Sequence, residues 1–463
     1  MKNMKYAPFL VCLILFTNKT LSQFHLFKDN DRVCFIGNSI TMNGRFHNYI
    51  ELFYVTRFPD RKIKFYNCGI SGDVANGILR RMDSDILVHQ PTWSVVMVGM
   101  NDVNRSLYDK ARQVEPGIQK QQQDALNRYF KDLDSIVRIL IKAGSKVILQ
   151  TPSIYDQTAD LLSNNAPGVN NALKRCAGYI KKLAARFKLP VVDYWTIMNT
   201  VNAGVQKLDK KATIIGADRV HPGIEGHFLM AGEFLKSQHV PASVAYISID
   251  AKNHKIKEAL QSNISDIRYN HSSVSFKCRE TSLPYPLLSG DFNPDSLFSF
   301  TEKFNKEILQ IKSLKKGTYI LKIDSVVAGT YSERDLNTGI NLAKNYLTPQ
   351  NQQAASVLRF LDQYWELERR LRQIKYVEYG LLGSDIHLYR NLDDNSEKLF
   401  TKSLERFKGQ PREYIDYYKK NFDEYMTNKK MEKDLQKKSD EKFKEIQLNN
   451  KPVIHSFEVE WEQ

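Results

Sequence analysis

The fold is decided by a short stretch near the N-terminus, Val33–Thr41, with the sequence VCFIGNSIT. An apolar run that ends in Gly-Asn-Ser is typical of a buried strand followed by a tight turn. Similar runs recur along the chain, and each leads through a loop into a longer helical pattern. They lie at Ile63–Tyr66, Val95–Val98, Val147–Leu149 and Val191–Val192. Strands alternating with helices predict an α/β fold with a doubly wound, five-stranded parallel sheet.

The clearest helical pattern runs from about Gln119 to Ala143. Its apolar residues recur at three- and four-residue spacing, and Gly144 follows as a natural end. The apolar face consists of Ala125, Tyr129, Leu133, Ile136, Val137 and Leu140. A helix of this kind packs on one face of a sheet.

The N-terminal 22 residues have a different pattern. Lys2 and Lys5 precede an apolar run, Phe9–Phe16, and small or polar residues follow. This order predicts a secretory signal peptide at 1–22, and the run is too short to span a bilayer. Cys12 leaves a lipoprotein signal as the alternative, although the residue before it is bulky. We expect an exported protein, periplasmic or extracellular, with surface attachment left open.

The chain after the signal divides into three parts. Residues 23–240 carry the alternating strands and helices. Residues 241–334 predict a small β-rich module, with strands at Val244–Ile249, Val274–Cys278 and Thr318–Ile323. Residues 335–463 predict a helical C-terminal region, which includes an apolar stripe within 354–376 and a charged, exposed helix at 411–447.

Composition excludes several classes of function. The formal net charge is +15, but lysines and arginines are interleaved with acidic residues, as in Glu432–Lys438, which is typical of a solvated helix face. No nucleic-acid-binding motif accompanies the charge, so no nucleic-acid partner is expected. Four cysteines remain beyond the signal, Cys34, Cys68, Cys176 and Cys278, too few for a disulfide scaffold in so long a chain. Cys34 and Cys68 lie on predicted core strands and are expected to be buried free thiols. Without a CxxC or HExxH pattern, neither a metal nor a cofactor is expected.

Polar residues follow three of the predicted strands. Ser39, Gly72 and Asn101 each come after a strand end, and these ends share one edge of a parallel sheet. Ser39 is a candidate nucleophile, with a helix N-cap as the alternative use of this serine. The N–H groups of Ser39 and Gly72 and the Asn101 amide are candidate donors to an oxyanion.

The segment Asp218–Pro222, with the sequence DRVHP, supplies a candidate base before the last helix of this part. Asp218 precedes His221 by three residues, so its carboxylate can fold back onto the imidazole and fix the tautomer. A helix cap does not explain this pair. His227 is expected on the following helix in a packing role.

These segments resemble the SGNH (GDSL-like) hydrolase superfamily, which is named for a Ser, a Gly, an Asn and a His in separate blocks, and exported bacterial carbohydrate esterases in particular. The resemblance covers about residues 31–240 and implies a three-layer, flavodoxin-like fold. It implies a triad of Ser39, Asp218 and His221 and an oxyanion hole of Ser39, Gly72 and Asn101. The family's usual Asp before the serine is Asn38 here, which removes a charge beside the nucleophile.

The expected activity is hydrolysis of O-acyl esters, with O-acetyl groups on carbohydrate as the first candidate. The resemblance also permits lipid esterases and acyltransferases, and a non-catalytic carbohydrate- or surface-binding protein is the alternative from another class. Asn38, Arg105 and Tyr108 are candidate substrate contacts. The last two lie in the loop Val103–Pro116, which is either a lid or an ordinary connection. The sequence leaves the oligomeric state open.

Overall fold

The computed structural model describes residues 24–286, 295–383 and 412–462, together with residues 401, 404 and 409. The predicted signal peptide, residues 1–22, lies outside the described residues. Of the helices described, none is long and apolar enough to cross a membrane.

A five-stranded parallel sheet forms the centre of the N-terminal half, in the order β2-β1-β3-β4-β5. Its strands are β1 (Arg32–Gly37), β2 (Lys64–Gly69), β3 (Trp93–Met97), β4 (Lys146–Gln150) and β5 (Val191–Val192). The chain first places β2 on one side of β1 and then crosses back to place β3, β4 and β5 on the other side. This change of direction across the sheet is typical of doubly wound folds. The predicted five-stranded parallel sheet is confirmed.

Helices cover both faces of this sheet because residues along its strands alternate between two cores. In β1, Phe35 packs into one core, while Cys34 and Ile36 pack into the other. The helices are α1 (Ser39–Met42), α2 (Arg45–Arg57), α3 (Ala75–Arg80), α4 (Ile118–Lys142), α5 (Val169–Phe187), α6 (Tyr194–Gln206) and α7 (Ile224–Ser237). α4 lies within a residue of the predicted boundaries and buries all six residues of the predicted apolar face. The four cysteines beyond the signal are buried and free, which confirms the prediction for Cys34 and Cys68.

Two further sheets follow the parallel one. The first has four strands in the order β13-β10-β6-β7, and the second has five in the order β12-β11-β14-β9-β8. The strands are β6 (Ser243–Asp250), β7 (Lys255–Leu260), β8 (Ser262–Tyr269), β9 (Ser273–Glu280), β10 (Lys306–Lys312), β11 (Thr318–Ile323), β12 (Val326–Ser332), β13 (Ile340–Asn341) and β14 (Ile454–Trp461). Short helices α8 (Asp295–Phe298), α9 (Phe300–Phe304) and α10 (Glu333–Thr338) connect them.

The C-terminal region is helical except at its end. It contains α11 (Pro349–Lys375), a π-helical turn (Tyr376–Leu382), α12 (Arg412–Lys430) and α13 (Glu432–Asn449). α12 and α13 bury apolar residues such as Tyr425 and Ile446, so this stretch is not the single exposed helix that its charge predicts. The final strand β14 returns to the β-rich module and pairs with both β9 and β11. Its alternating burial suits a sheet and differs from the helical prediction for this region.

Candidate active site

Ser39 is the first residue of α1, directly after the turn that ends β1. The helix is capped by its neighbour: Asn38 Oδ1 accepts a hydrogen bond of 3.1 Å from the Ile40 N–H. The half-buried Ser39 therefore does not serve as the cap, and its Oγ lies 2.8 Å from His221 Nε2. Asn38 is 2% exposed, so its side chain serves the turn rather than an open surface.

The loop before α7 brings His221 to Ser39. The other ring nitrogen of His221, Nδ1, forms a hydrogen bond with Asp218 Oδ2. Asp218 Oδ1 accepts hydrogen bonds of 3.0 Å from the N–H groups of Val220 and His221, so one carboxylate organises the whole turn. Ser39, His221 and Asp218 thus form a continuous hydrogen-bonded chain.

The environment of Asp218 favours its ionised form. Partial burial alone would raise the pKa of this carboxyl, but the hydrogen bonds from the His221 ring and from the His221 and Val220 N–H groups lower it well below its usual range. An ionised Asp218 beside Nδ1 keeps a proton on that nitrogen and leaves Nε2 free to accept one from Ser39. The geometry therefore suits proton transfer from a serine hydroxyl.

Arg219 anchors this loop to the rest of the fold, a role that its sequence context does not reveal. The residue is 3% exposed, and its guanidinium donates to the main-chain carbonyl oxygens of Asp156, Ala159, Leu161 and Ser163 at 2.9–3.2 Å. Its backbone is left-handed, with φ of +65°, which is uncommon for a residue with a side chain. The tether fixes the turn between Asp218 and His221.

The turn after β2 presents Gly72 at an exposed position. Its φ is +78°, and an added Cβ would meet no atom within 4 Å. The glycine is therefore required by its backbone conformation, and the space beside it is open. Among the described residues, neither the Ser39 nor the Gly72 N–H has a hydrogen-bond partner. Both are available to an incoming oxygen atom.

Close packing joins this turn to the Ser39 turn. A Cβ added to Gly69, at the end of β2, would come within 2.2 Å of the Met42 nitrogen in α1. The Ile70 N–H donates to the Gly37 carbonyl oxygen at 3.1 Å. The positions of Ser39 and Gly72 are thus coupled through their backbones.

The segment after β3 locks the same turn from the other side. Asn101 Nδ2 donates to the Asp73 carbonyl oxygen at 2.9 Å, which leaves one of its two amide hydrogens for another acceptor. Asp102 Oδ1 accepts a hydrogen bond of 2.7 Å from the Ala75 N–H at the start of α3. Burial raises the pKa of the Asp102 carboxyl to about 7. Both residues hold the Gly72 turn in place.

Two candidate substrate contacts have structural partners. Arg105 Nη1 donates to Asn101 Oδ1 at 3.0 Å, which orients the Asn101 amide. Tyr108 is 6% exposed and lies in the core. Its ring lies close to Gly168, where an added Cβ would be 3.1 Å from the ring. The loop that carries both residues consists of short 3-10 turns at Arg105–Tyr108 and Lys110–Val114. Substrate contact by Arg105 stays a prediction, whereas the burial of Tyr108 makes it part of the loop's support.

His227 lies on α7 and is 1% exposed, in the packing role expected for it. Its ring stacks against Phe46, and burial lowers the pKa of His227 to about 3. A histidine that stays neutral in this way is a poor base. In the described part of the chain, no three His, Cys, Asp or Glu side chains are arranged as around a metal ion.

The chain is similar to a known protein family and to individual known proteins. A family model described as GDSL-like lipase/acylhydrolase matches residues 33–234. A gut microbial diltiazem-metabolizing enzyme of known structure is 30% identical, with a TM-score of 0.85, over 95% of this chain and 100% of that one. An acetylxylan esterase from Geobacillus stearothermophilus is 25% identical over 221 residues, which are 44% of this chain and 93% of the relative.

The fold, the order of the segments and these similarities define an acyl-ester hydrolase built on a parallel sheet. The chain belongs to the SGNH (GDSL-like) hydrolase superfamily. It is a carboxylic ester hydrolase of that class.

Proposed function

We propose that this chain is an exported serine esterase that removes O-acetyl groups from carbohydrate through Ser39, His221 and Asp218. The observation that carries the proposal is the 2.8 Å contact between Ser39 Oγ and His221 Nε2, with Asp218 bound to the opposite ring nitrogen. A serine so placed is activated by an adjacent base.

The mechanism follows from this geometry. His221 Nε2 takes the Ser39 proton as Oγ attacks the ester carbonyl carbon, and the negative charge forms on the carbonyl oxygen. The N–H groups of Ser39 and Gly72 and the Asn101 amide donate to that oxygen. His221 then protonates the departing alcohol, which leaves an acetylated Ser39. Water, deprotonated by His221, releases acetate and restores the serine.

Two observations support a short acyl group on a large alcohol. The relative from Geobacillus stearothermophilus is named an acetylxylan esterase, and its similarity covers the part of the chain that carries the site. The side chains of His221 and Asp218 are 46% and 51% exposed, so a bulky leaving group can approach the base from solvent. A lipid esterase or an acyltransferase is the alternative within the superfamily.

The second candidate substrate is a small acetylated molecule. The relative that matches nearly the whole chain, including the modules after residue 240, is named for the metabolism of diltiazem. Diltiazem carries an acetate ester on a secondary alcohol. The same triad chemistry applies to such an ester without any carbohydrate contact.

Hydrolysis assays on three kinds of substrate test the proposal. The mature protein and Ser39→Ala are compared on p-nitrophenyl esters from acetate to decanoate, on acetylated xylo-oligosaccharide and on diltiazem. We expect turnover of acetate but not of long chains, the highest kcat/KM on the oligosaccharide, and a loss of about 10⁴-fold or more in the variant. A preference for diltiazem favours the second candidate, and a preference for decanoate favours a lipid esterase.

Absence of turnover on every substrate, or equal turnover by Ser39→Ala, contradicts the assignment of Ser39. Binding of acetylated oligosaccharide without turnover then favours the non-catalytic alternative. A folded variant with an unchanged circular dichroism spectrum is the control for both outcomes.

Export is part of the same proposal. Its support is the order of charged, apolar and small residues in the first 22 positions. Expression of the full chain in a Gram-negative host, followed by N-terminal sequencing of the periplasmic fraction, checks it. We expect a mature chain that begins close to residue 23. An uncut chain in the cytoplasm contradicts export, and a lipid-modified cysteine in the membrane fraction indicates a lipoprotein.

A further inference from the structure

The C-terminal end of α11 reaches the backbone behind the Gly72 turn. Arg372 is 5% exposed, and its Nε donates to the Gly69 carbonyl oxygen at 2.7 Å. Its two Nη atoms each lie 2.8 Å from an oxygen of Asp85. A residue from the last third of the chain therefore binds the strand end that leads into the Gly72 turn.

A second buried arginine completes the arrangement. Arg81 donates to Asp73 Oδ2 at 2.9 Å, to Asp85 Oδ2 at 2.5 Å and to the Cys68 carbonyl oxygen at 3.0 Å. Two guanidiniums and two carboxylates thus balance in charge within the core. The two arginines bind Gly69 and Asp73, and Gly72 lies between these two residues in the sequence.

Apolar packing adds a second contact between the same regions. Ile70 is 2% exposed and belongs to a cluster whose other members come from α11, the π-helical turn and α12. The buried members are Ile374, Tyr376, Val377, Leu382, Phe422 and Tyr425. A Cβ added to Gly380, in the π-helical turn, would lie 3.1 Å from the Tyr376 ring and 3.2 Å from Ile70 Cγ2. The residue after Gly69 therefore rests on the C-terminal helices.

We propose that Arg372 is a positioning residue for the oxyanion hole, so that the C-terminal helices set the place of the Gly72 N–H. The inference rests on the proposed function, in which Gly72 donates to the oxyanion. Arg372 acts through the Gly69 carbonyl and Asp85 and does not touch the substrate. Through Arg372, α11 then supports catalysis and is more than a structural addition.

The physical reason is the short range of oxyanion stabilisation. A donor stabilises the transition state only when it lies about 2.7–3.1 Å from the developing charge, and a displacement of the order of 1 Å removes much of the effect. Ground-state binding depends less on that distance. Loss of the contact with Gly69 should therefore lower kcat more than it changes KM.

Arg372→Lys tests the directed hydrogen bonds of the guanidinium separately from its positive charge. Lysine keeps a positive charge beside Asp85, but its single ammonium nitrogen does not reproduce the three directed contacts of the guanidinium. Arg370→Lys is the matched control, because Arg370 lies on the same helix and its side chain binds Asn428 and Met431 in the C-terminal region. Both variants are measured as full mature chains on p-nitrophenyl acetate.

The readouts are kcat per active site, KM and Tm. Active sites are counted by labelling the nucleophilic serine with a fluorophosphonate, so that a partly unfolded sample does not lower the measured kcat. For Arg372→Lys we expect a fall in kcat of about tenfold with KM within about twofold. For Arg370→Lys we expect both constants to stay unchanged. A folded Arg372→Lys variant with wild-type kcat per site overturns the inference.

Gly380→Ala decides the matter if Arg372→Lys does not fold. The added methyl group would press on the Tyr376 ring and on Ile70, and no charged side chain is among its nearest neighbours. A fall in kcat of about twofold or more at constant KM supports positioning from the C-terminal side, and unchanged kcat overturns it. Failure of the proposed function is distinguished by the same series, because the wild-type chain would then show no serine labelling or would lose no turnover in Ser39→Ala.

Discussion

The parallel sheet and the C-terminal helices contribute to this site in different ways. The strand ends carry side chains with their own chemistry: the Ser39 hydroxyl, the Asn101 amide and, in the loop before α7, the His221 ring. From α11, Arg372 contributes a guanidinium bound to a carbonyl oxygen and a buried carboxylate. One region supplies groups that can react, and the other supports the backbone that places them.

This difference separates two kinds of functional residue. Reacting groups need particular side chains in short segments, so they leave a pattern in the sequence. Supporting residues bind main-chain carbonyls, which every residue has, and leave no such pattern. Arg219 belongs to the second kind although it lies between Asp218 and His221. Substitutions of the two kinds should therefore differ in how far they lower kcat.

The largest effect in this comparison is expected from Asp218→Asn. The amide cannot stabilise the imidazolium that forms when His221 takes the serine proton, so kcat should fall about 100-fold with little change in KM. The fall is smaller than for a fully buried acid because solvent reaches this carboxylate. Steady-state kinetics on p-nitrophenyl acetate measure it, with the exposed Asp160→Asn as control. A loss of less than threefold would remove Asp218 from the triad.

Arg219→Lys should have an intermediate effect. A lysine cannot bind the four carbonyl oxygens that the guanidinium holds, so the His221 loop loosens, and kcat should fall about tenfold. Thermal unfolding should also shift downwards, because buried carbonyl groups lose their donors. Arg334→Lys, at an arginine whose side chain is 87% exposed, provides the control. Equal kinetics for both variants would show that the tether does not matter for catalysis.

Glu51→Gln, at the contact between α2 and α11, should have the smallest effect on activity and a clear effect on stability. Glu51 in α2 is 2% exposed, and its Oε2 accepts a hydrogen bond of 2.7 Å from Trp365 Nε1. Burial raises the pKa of Glu51 from about 4.5 to about 8, although the Trp365 hydrogen bond lowers it in part. The folded chain therefore keeps a proton on Glu51 over a pH range in which the unfolded chain has lost it.

The sign of the pH dependence follows from linkage. Between about pH 4.5 and 8 the native state binds the additional proton, so its stability falls as pH rises. Glutamine does not titrate, so Glu51→Gln removes this loss of stability. The free energy of unfolding of the variant, relative to that of wild type, should increase by up to about 1.4 kcal/mol for each pH unit in that range. Urea denaturation from pH 5 to pH 8 measures the difference. A difference that does not depend on pH contradicts a protonated Glu51.

Much of the site could be predicted from the sequence. The Ser39–His221 contact joins residues 182 positions apart, yet the sequence predicts it because a serine after a strand and an Asp-x-x-His segment suit one mechanism. Tyr108 shows the limit, because a tyrosine in a loop suits substrate contact and core packing equally well. The strand β14 was missed because it lies among helices and pairs only with distant strands. The charged surface of α12 and α13 likewise concealed the apolar residues that pack on α11.

By itself, the sequence determined the parallel sheet, its superfamily and the chemical groups at its edge. These depend on local periodicity and on side-chain types that few other roles require. Only the tertiary structure decided how those groups are supported. The bond from Arg372 to the Gly69 carbonyl spans 303 positions, and its acceptor is a main-chain atom without a sequence signature. Whether such a contact forms depends on how helix and sheet pack in three dimensions, which a one-dimensional pattern does not specify.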